Sequence, residues 1–330
     1  QLLACAALIF AAGTRLSRYG DAIARHTGLG GGWIGLVLVA SVTSLPELVT
    51  GVSSVTVADV PDIAVGNVLG ACVLNLVMMA VLDVLHRRAS IYTVASQGHV
   101  LGAAFGIVML GVVAFGLLAG PRAEVMIGHV SLLSPVLLAL YLVAIRTIYD
   151  YEHGQQRLAS AEAAGDNARP AIGLRHAVTG YAIAAGVVVA AALWLPVAAG
   201  RLAAAMGWTE SFVGTLLVAL TTTLPELTVT LAAVRIGALD MAIGNLMGSN
   251  LFNLAILAID DLLYRPAALL SSVAPSHALS ALSAIVMAAA LVVALVARPQ
   301  ARLLNLASWT SVLLMLVYFV NSWLQFRAPV

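Results

Sequence analysis

The sequence predicts an all-α membrane protein with ten transmembrane helices arranged as two inverted five-helix repeats. The first observation behind this is composition. Of 330 residues, 62% are hydrophobic and 9% charged, and the mean hydropathy is +1.02, which leaves too little polar surface to coat a water-soluble domain, so the solvent is a bilayer. The second is duplication. The stretch Ala40, Ser41, Val42, Thr43, Ser44, Leu45, Pro46, Glu47, Leu48 returns about 179 positions later as Ala219, Leu220, Thr221, Thr222, Thr223, Leu224, Pro225, Glu226, Leu227. The third is parity: five apolar spans precede the only long polar stretch, 149–172, and five follow it. An odd number per half inverts the second half.

With about 20 apolar residues needed per crossing, the spans fall near 2–12, 33–57, 63–85, 94–118, 127–148, 177–199, 212–236, 241–263, 277–297 and 303–324. The first is short because the chain begins inside it; no charged leader with a small-residue cleavage site precedes it, which reads as a polytopic protein with a trimmed N-terminus. The second and seventh spans carry the Pro-Glu copies. The third and eighth carry matched Gly-Asn pairs, Gly66 and Asn67 with Gly244 and Asn245, followed by Gly70 with Gly248, Asn75 with Asn253 and Asp83 with Asp261. His99 and His277 open the fourth and ninth, and Gly35 pairs with Gly214 and Arg87 with Arg265 at the same offset. The domain reading is therefore a first repeat at 1–148, a cytoplasmic linker at 149–172 and an inverted second repeat at 173–330.

Arginine sets the orientation, because all sixteen basic residues are Arg. Numbering the loops alternately puts Arg15, Arg18, Arg25, Arg87, Arg88, Arg146, Arg157, Arg169, Arg175, Arg235, Arg298 and Arg302 on one side and Arg122, Arg201, Arg265 and Arg327 on the other. The positive-inside rule makes the richer side cytoplasmic and leaves both termini outside. These arginines are dispersed through short loops, which argues against a nucleic-acid partner.

A proline inside a helix lacks the amide that bonds the carbonyl four residues earlier, so Pro46 frees the carbonyl of Val42 and Pro225 that of Thr221. Hydroxyls sit beside each bend, Thr43 and Ser44 in one copy and Thr222 and Thr223 in the other. A carboxylate follows, completing an all-oxygen set suited to hard cations such as calcium or sodium. Of fifteen acidic residues, thirteen are placed in loops or at span ends, Asp83, Asp260 and Asp261 among them, where solvation or an ion-entry role is expected, leaving Glu47 and Glu226 deep in the membrane. Two such charges require one divalent cation, two monovalent cations or two protons. Competition between ions at one alternately exposed site is antiport, and duplicated inverted halves place such a site near the midplane.

Here the residues resemble the cation/calcium exchanger superfamily, most closely a prokaryotic sodium/calcium exchanger. The resemblance rests on Thr43, Ser44, Pro46 and Glu47 followed by Gly66, Asn67, Gly70 and Asn75, and on Thr222, Thr223, Pro225 and Glu226 followed by Gly244, Asn245, Gly248, Ser249, Asn250 and Asn253. It implies that Glu47, Glu226, Thr43 and Thr222, with the carbonyls of Ala40 and Ala219, coordinate calcium. Sodium sites are implied to use Ser44, Thr223, Ser249, Asn75 and Asn253 as well. It also implies that the first and sixth helices slide across the other eight. Val42 and Thr221 stand where the family has glycine, Ala71 where it has a hydroxyl and Cys72 where it has asparagine. The lost hydroxyl keeps calcium/proton exchange as the alternative, with sodium/proton antiport third.

Other readings are bland. Asn67 and Asn245 are expected to bond across helices, and Gly66, Gly70, Gly244 and Gly248 to be close-packing positions. Cys5 and Cys72 are expected to be apolar fillers, and the serines and threonines can back-bond to helical carbonyls. No HExxH or hydrolase dyad appears, so an enzyme is not expected, and no GxxxxGK[ST] loop exists to couple ATP. The expected protein is a monomeric, cofactor-free, multi-pass inner-membrane antiporter.

Overall fold

In hydrocarbon the backbone must satisfy its own N–H and C=O groups, which favours helices wherever the chain is uniformly apolar. The structure is a computed structural model that describes residues 2–86, 89–120, 125–162, 172–206, 219–303 and 307–327, and these are mostly helical. In chain order the elements are α1 (Leu2–Thr27), α2 (Gly31–Ile34), a π-helical segment Gly35–Val39, α3 (Ala40–Thr43), α4 (Leu45–Ser53) and a second π-helical segment Ser54–Ala58. Next come α5 (Pro61–Leu85), α6 (Ile91–Val94), α7 (Gly98–Ala119), the hairpin β1 (Met126–Ile127) and β2 (Val130–Ser131), α8 (Leu133–Glu162) and α9 (Leu174–Met206). They are followed by α10 (Ala219–Thr222), α11 (Leu224–Arg235), α12 (Leu239–Leu263), a 3₁₀ turn Leu269–Ser271, α13 (His277–Ala297), the hairpin β3 (Arg302–Leu303) and β4 (Ala307–Ser308), and α14 (Trp309–Arg327). Among the described residues, seven helices are long and apolar enough to cross a membrane, and the pair Gly31–Thr43 and Leu45–Ala58, bent by 40°, makes eight.

Several boundaries differ from the sequence reading. The span expected at 2–12 is only the opening of a 26-residue helix, because its second half buries Leu16, Ala22, Ile23 and Ala24 in a core cluster while its polar residues, such as the Asp21–Arg25 pair at 2.9 Å, remain helical on the outer face. The span expected at 33–57 is broken at Ser44, where φ −90° and ψ 8° leave the helical region just before Pro46. Of the span expected at 212–236, residues 212–218, including Gly214, lie outside the described residues; the remainder is α10 and α11, interrupted at Thr223. The expected linker begins as helix, since α8 runs to Glu162, while 163–171 lie outside the described residues, as do Arg87, Arg88, Arg122 and Arg169.

The chain forms two compact units, each drawing on both sequence halves. One comprises Gln1–Leu45 and Ala144–Ser249, the other Pro46–Val143 and Asn250–Val330. In the first, α1 packs on α9 and α11, with Leu16, Ile23, Ile34, Val39, Ala184, Val229 and Met241 in its core. The hydroxyl of Ser17 donates to the carbonyls of Gly13 and Val229 at 3.0 and 3.2 Å, tying α1 to α11. Gly244 and Gly248 let α12 approach the backbone of the α2 region closely: a Cβ at Gly244 would overlap the Gly32 carbonyl, and one at Gly248 the Leu36 carbonyl. Gly70 differs from the close-packing expectation, because nothing lies within 4 Å of the position a Cβ would take, while at Gly66 the neighbour is the His277 ring. Gly244→Val is therefore expected to destabilise by about 1–3 kcal/mol and Gly70→Ala to be nearly neutral, as measured by thermal unfolding midpoints in detergent.

In the second unit α7 packs on α13, and α5 on α13 and α14. The duplication is visible in its loops. Asp83 near the end of α5 accepts hydrogen bonds from the Ile91 and Ser308 amides and from the Ser90 and Ser311 hydroxyls. Its counterpart Asp261 near the end of α12 accepts from the Leu269 and Ser131 amides and the Ser134 hydroxyl. Asp83 is fully buried and Asp261 nearly so. Both correct the expectation of solvated span ends: loops that fold back over the helix ends bring orphan amides to these carboxylates, and those amides take the place of water.

Candidate functional site

The candidate residues divide between the two units, and each group has its own geometry. In the first unit the break at Ser44 turns the end of α3 toward α11. Ser44 donates its hydroxyl to Glu226 Oε1 at 2.9 Å. Thr43 Oγ1 lies 3.5 Å from Ser249 Oγ and 3.2 Å from Asn245 Oδ1. Asn245 is held in turn by its amide's hydrogen bond to Thr230 Oγ1 at 2.9 Å. Glu226, Thr43, Ser44 and Ser249 are all fully buried.

Thr222 and Thr223 are buried beside Glu226 in sequence, the latter bonding the Leu220 carbonyl at 3.4 Å. The Ala40 carbonyl accepts from the Ser44 amide at 2.9 Å and the Thr43 hydroxyl at 3.2 Å, so in this conformation it closes the helix end as well as being a ligand candidate. Ala219 contributes backbone to α10, and its side chain lies outside the described residues.

In the second unit Glu47 sits in the first turn of α4, fully buried. Asn75 on α5 donates to Asn250 Oδ1 at 3.0 Å, while Asn250 donates to the Cys72 carbonyl at 3.3 Å. This bracing role of Asn250 was not assigned from the sequence; the signal available was its place in Gly248, Ser249, Asn250. Asn253 is fully buried with neither side-chain atom hydrogen-bonded. Ala71 and Cys72 are buried on α5 and supply no hydroxyl. Asn67 is buried on the same helix.

His99 is buried near the start of α7, and His277 opens α13 with its Nε2 3.0 Å from Asp62 Oδ1. Asp260 was expected at a solvated span end and is instead fully buried. It lies two helical turns beyond Asn253, and that spacing could have placed it on the face of a site residue. Buried carboxylates, hydroxyls and amide oxygens suit hard cations. No group of three or more His, Cys, Asp or Glu able to hold a metal ion occurs among the described residues.

Known proteins share this chain's sequence pattern and its fold. The family described as sodium/calcium exchanger protein matches residues 1–149 and 176–327. An uncharacterized membrane protein of Methanocaldococcus jannaschii is 27% identical over 233 residues, 70% of each chain. The inner membrane protein YrbG of Escherichia coli K12 is 29% identical over 226 residues, 68% of this chain and 66% of that one. Among solved structures, the sodium-calcium exchanger NCX_Mj soaked with 10 mM Na+ and zero Ca2+ superposes with a TM-score of 0.73 at 23% identity, covering 97% of this chain and 96% of that one. This shared fold, and a family match running through both Pro-Glu copies, place the chain in the sodium/calcium exchanger protein family as a multi-pass membrane protein.

Proposed function

We propose that the protein is a secondary antiporter that exchanges calcium for sodium by alternating access, with Glu47 and Glu226 as the carboxylates of one midplane cation site. The observation that carries this reading is the setting of Glu226, a fully buried carboxylate that accepts the Ser44 hydroxyl at 2.9 Å in a unit where the buried Thr43 and Ser249 hydroxyls lie 3.5 Å apart. Oxygen donors around a buried negative charge favour a hard cation over a soft one.

In this reading Thr43, Thr222 and the carbonyls of Ala40 and Ala219 complete the calcium ligands. Ser44, Thr223, Ser249, Asn75 and Asn253 serve sodium. The chain works as ten transmembrane helices in two inverted repeats, 1–148 and 173–330, joined by a cytoplasmic linker at 149–172, with both termini outside the cell's inner membrane. It acts as a monomer without a resident cofactor and is not an enzyme. Calcium/proton exchange is the second reading, favoured by Ala71, whose buried side chain offers a monovalent ion no oxygen; sodium/proton antiport without calcium is the third.

Calcium uptake into sodium-loaded proteoliposomes, with a pH gradient substituted in parallel, separates the three. Sodium-driven uptake absent in Glu47→Gln is the expected result. Uptake driven by pH alone would replace sodium with protons, and no calcium uptake under either gradient would sink the calcium reading.

A further inference from the structure

Asp260 on α12 is a carboxyl group outside the duplicated motif and unlike the other buried aspartates of its unit. Asp83 collects four hydrogen bonds and Asp261 three, whereas neither carboxyl oxygen of Asp260 has a hydrogen-bond partner, although the residue is fully buried. Its surroundings contain no compensating charge among the described ion pairs. From α4 it is met by Gly51, where a Cβ would overlap Asp260 Oδ2, so the absence of a side chain at 51 makes the room the carboxyl occupies. Glu47, the titratable group of α4, lies one turn before Gly51 on the same helix face. On its own helix, the neighbouring Asp261 is turned to Ser131, Ser134 and Leu269, and Asn253, two turns back on the Asp260 face, likewise has an amide without partners.

A sealed, ionised carboxylate without donors or a counter-ion is strongly disfavoured, and a neutral carboxyl is not. We propose that Asp260 is a proton-binding site, separate from Glu47 and Glu226, that carries a proton at neutral pH and makes transport proton-sensitive. Its effect on flux rests on the exchange reading above; its proton occupancy does not.

The test is infrared spectroscopy of the full chain reconstituted in liposomes, reading the carbonyl-stretch band of a protonated carboxyl in the Glu47→Gln/Glu226→Gln background. A band at neutral pH that is lost when Asp260→Asn is added, and displaced by Gly51→Ala, is expected. No such band, or one unchanged by Asp260→Asn, would overturn the site. Gly51→Ala presses on the carboxyl without removing it, so the displacement remains readable should Asp260→Asn fail to fold. In the otherwise unaltered chain, calcium flux is expected to show an alkaline inflection in its pH profile that Asp260→Asn lacks, and identical profiles count against the site. Flux absent throughout with the band present would sink exchange alone, and flux with no band would sink the proton site alone.

Discussion

Glu226→Gln is expected to abolish calcium exchange in proteoliposomes while leaving the protein folded. The carboxylate is fully buried and its Oε1 accepts the Ser44 hydroxyl; the amide keeps the shape and removes the charge that a cation needs. Removing one partner of a buried charge pair costs about 3–5 kcal/mol, roughly 100- to 3000-fold in affinity. Ser44→Ala tests the same contact from the other side. It deletes a hydrogen bond to a charged group worth about 1.5–3 kcal/mol in the cation-free protein, and because Ser44 is proposed as a sodium ligand, sodium is expected to displace bound calcium less effectively in this variant. Radiolabelled calcium binding in detergent checks both, and wild-type affinity in Glu226→Gln would remove this residue from the site.

Asp83→Ala is expected to be the most destabilising single change away from the candidate site. The carboxylate binds two backbone amides and two hydroxyls from two loops, and Arg302 lies 3.9 Å away while also bonding the Asp83 carbonyl. Truncation orphans all of these inside the protein, at a cost of about 3–5 kcal/mol. Asp62 accepts the Ala274 amide but is 53% exposed at its side chain, so water replaces it and Asp62→Ala should cost far less. Thermal unfolding midpoints of the two variants, side by side, decide the point; equal midpoints would mean that water reaches the Asp83 loops.

The helical membrane class was legible because composition alone rules out a water-soluble shell, and the sodium/calcium exchanger family because Pro46-Glu47 and Pro225-Glu226 recur with their Gly-Asn partners. Helix ends were less legible. Hydropathy stops α1 at Ala12, but intrahelical bonding does not depend on hydropathy, and an amphipathic second half that buries Leu16, Ile23 and Ala24 carries the helix to Thr27. Buried acids were misread for a related reason: position near a span end predicts water, yet loops returning over α5 and α12 cover Asp83 and Asp261 with amide donors.

The sequence by itself determined which residues are candidates for a cation site, because the need for oxygen donors in an apolar span is satisfied by few side chains and those occur in duplicate. Only the tertiary structure decided what they touch. Bringing Ser44 to Glu226 across 182 positions, making Asn250 a brace for Asn75, and leaving Asp260 without a donor against Gly51 all depend on helix packing. Hydrogen bonds act over about 3 Å, and such proximity between distant parts of a chain is set by which helix faces meet, information that no local run of residues contains.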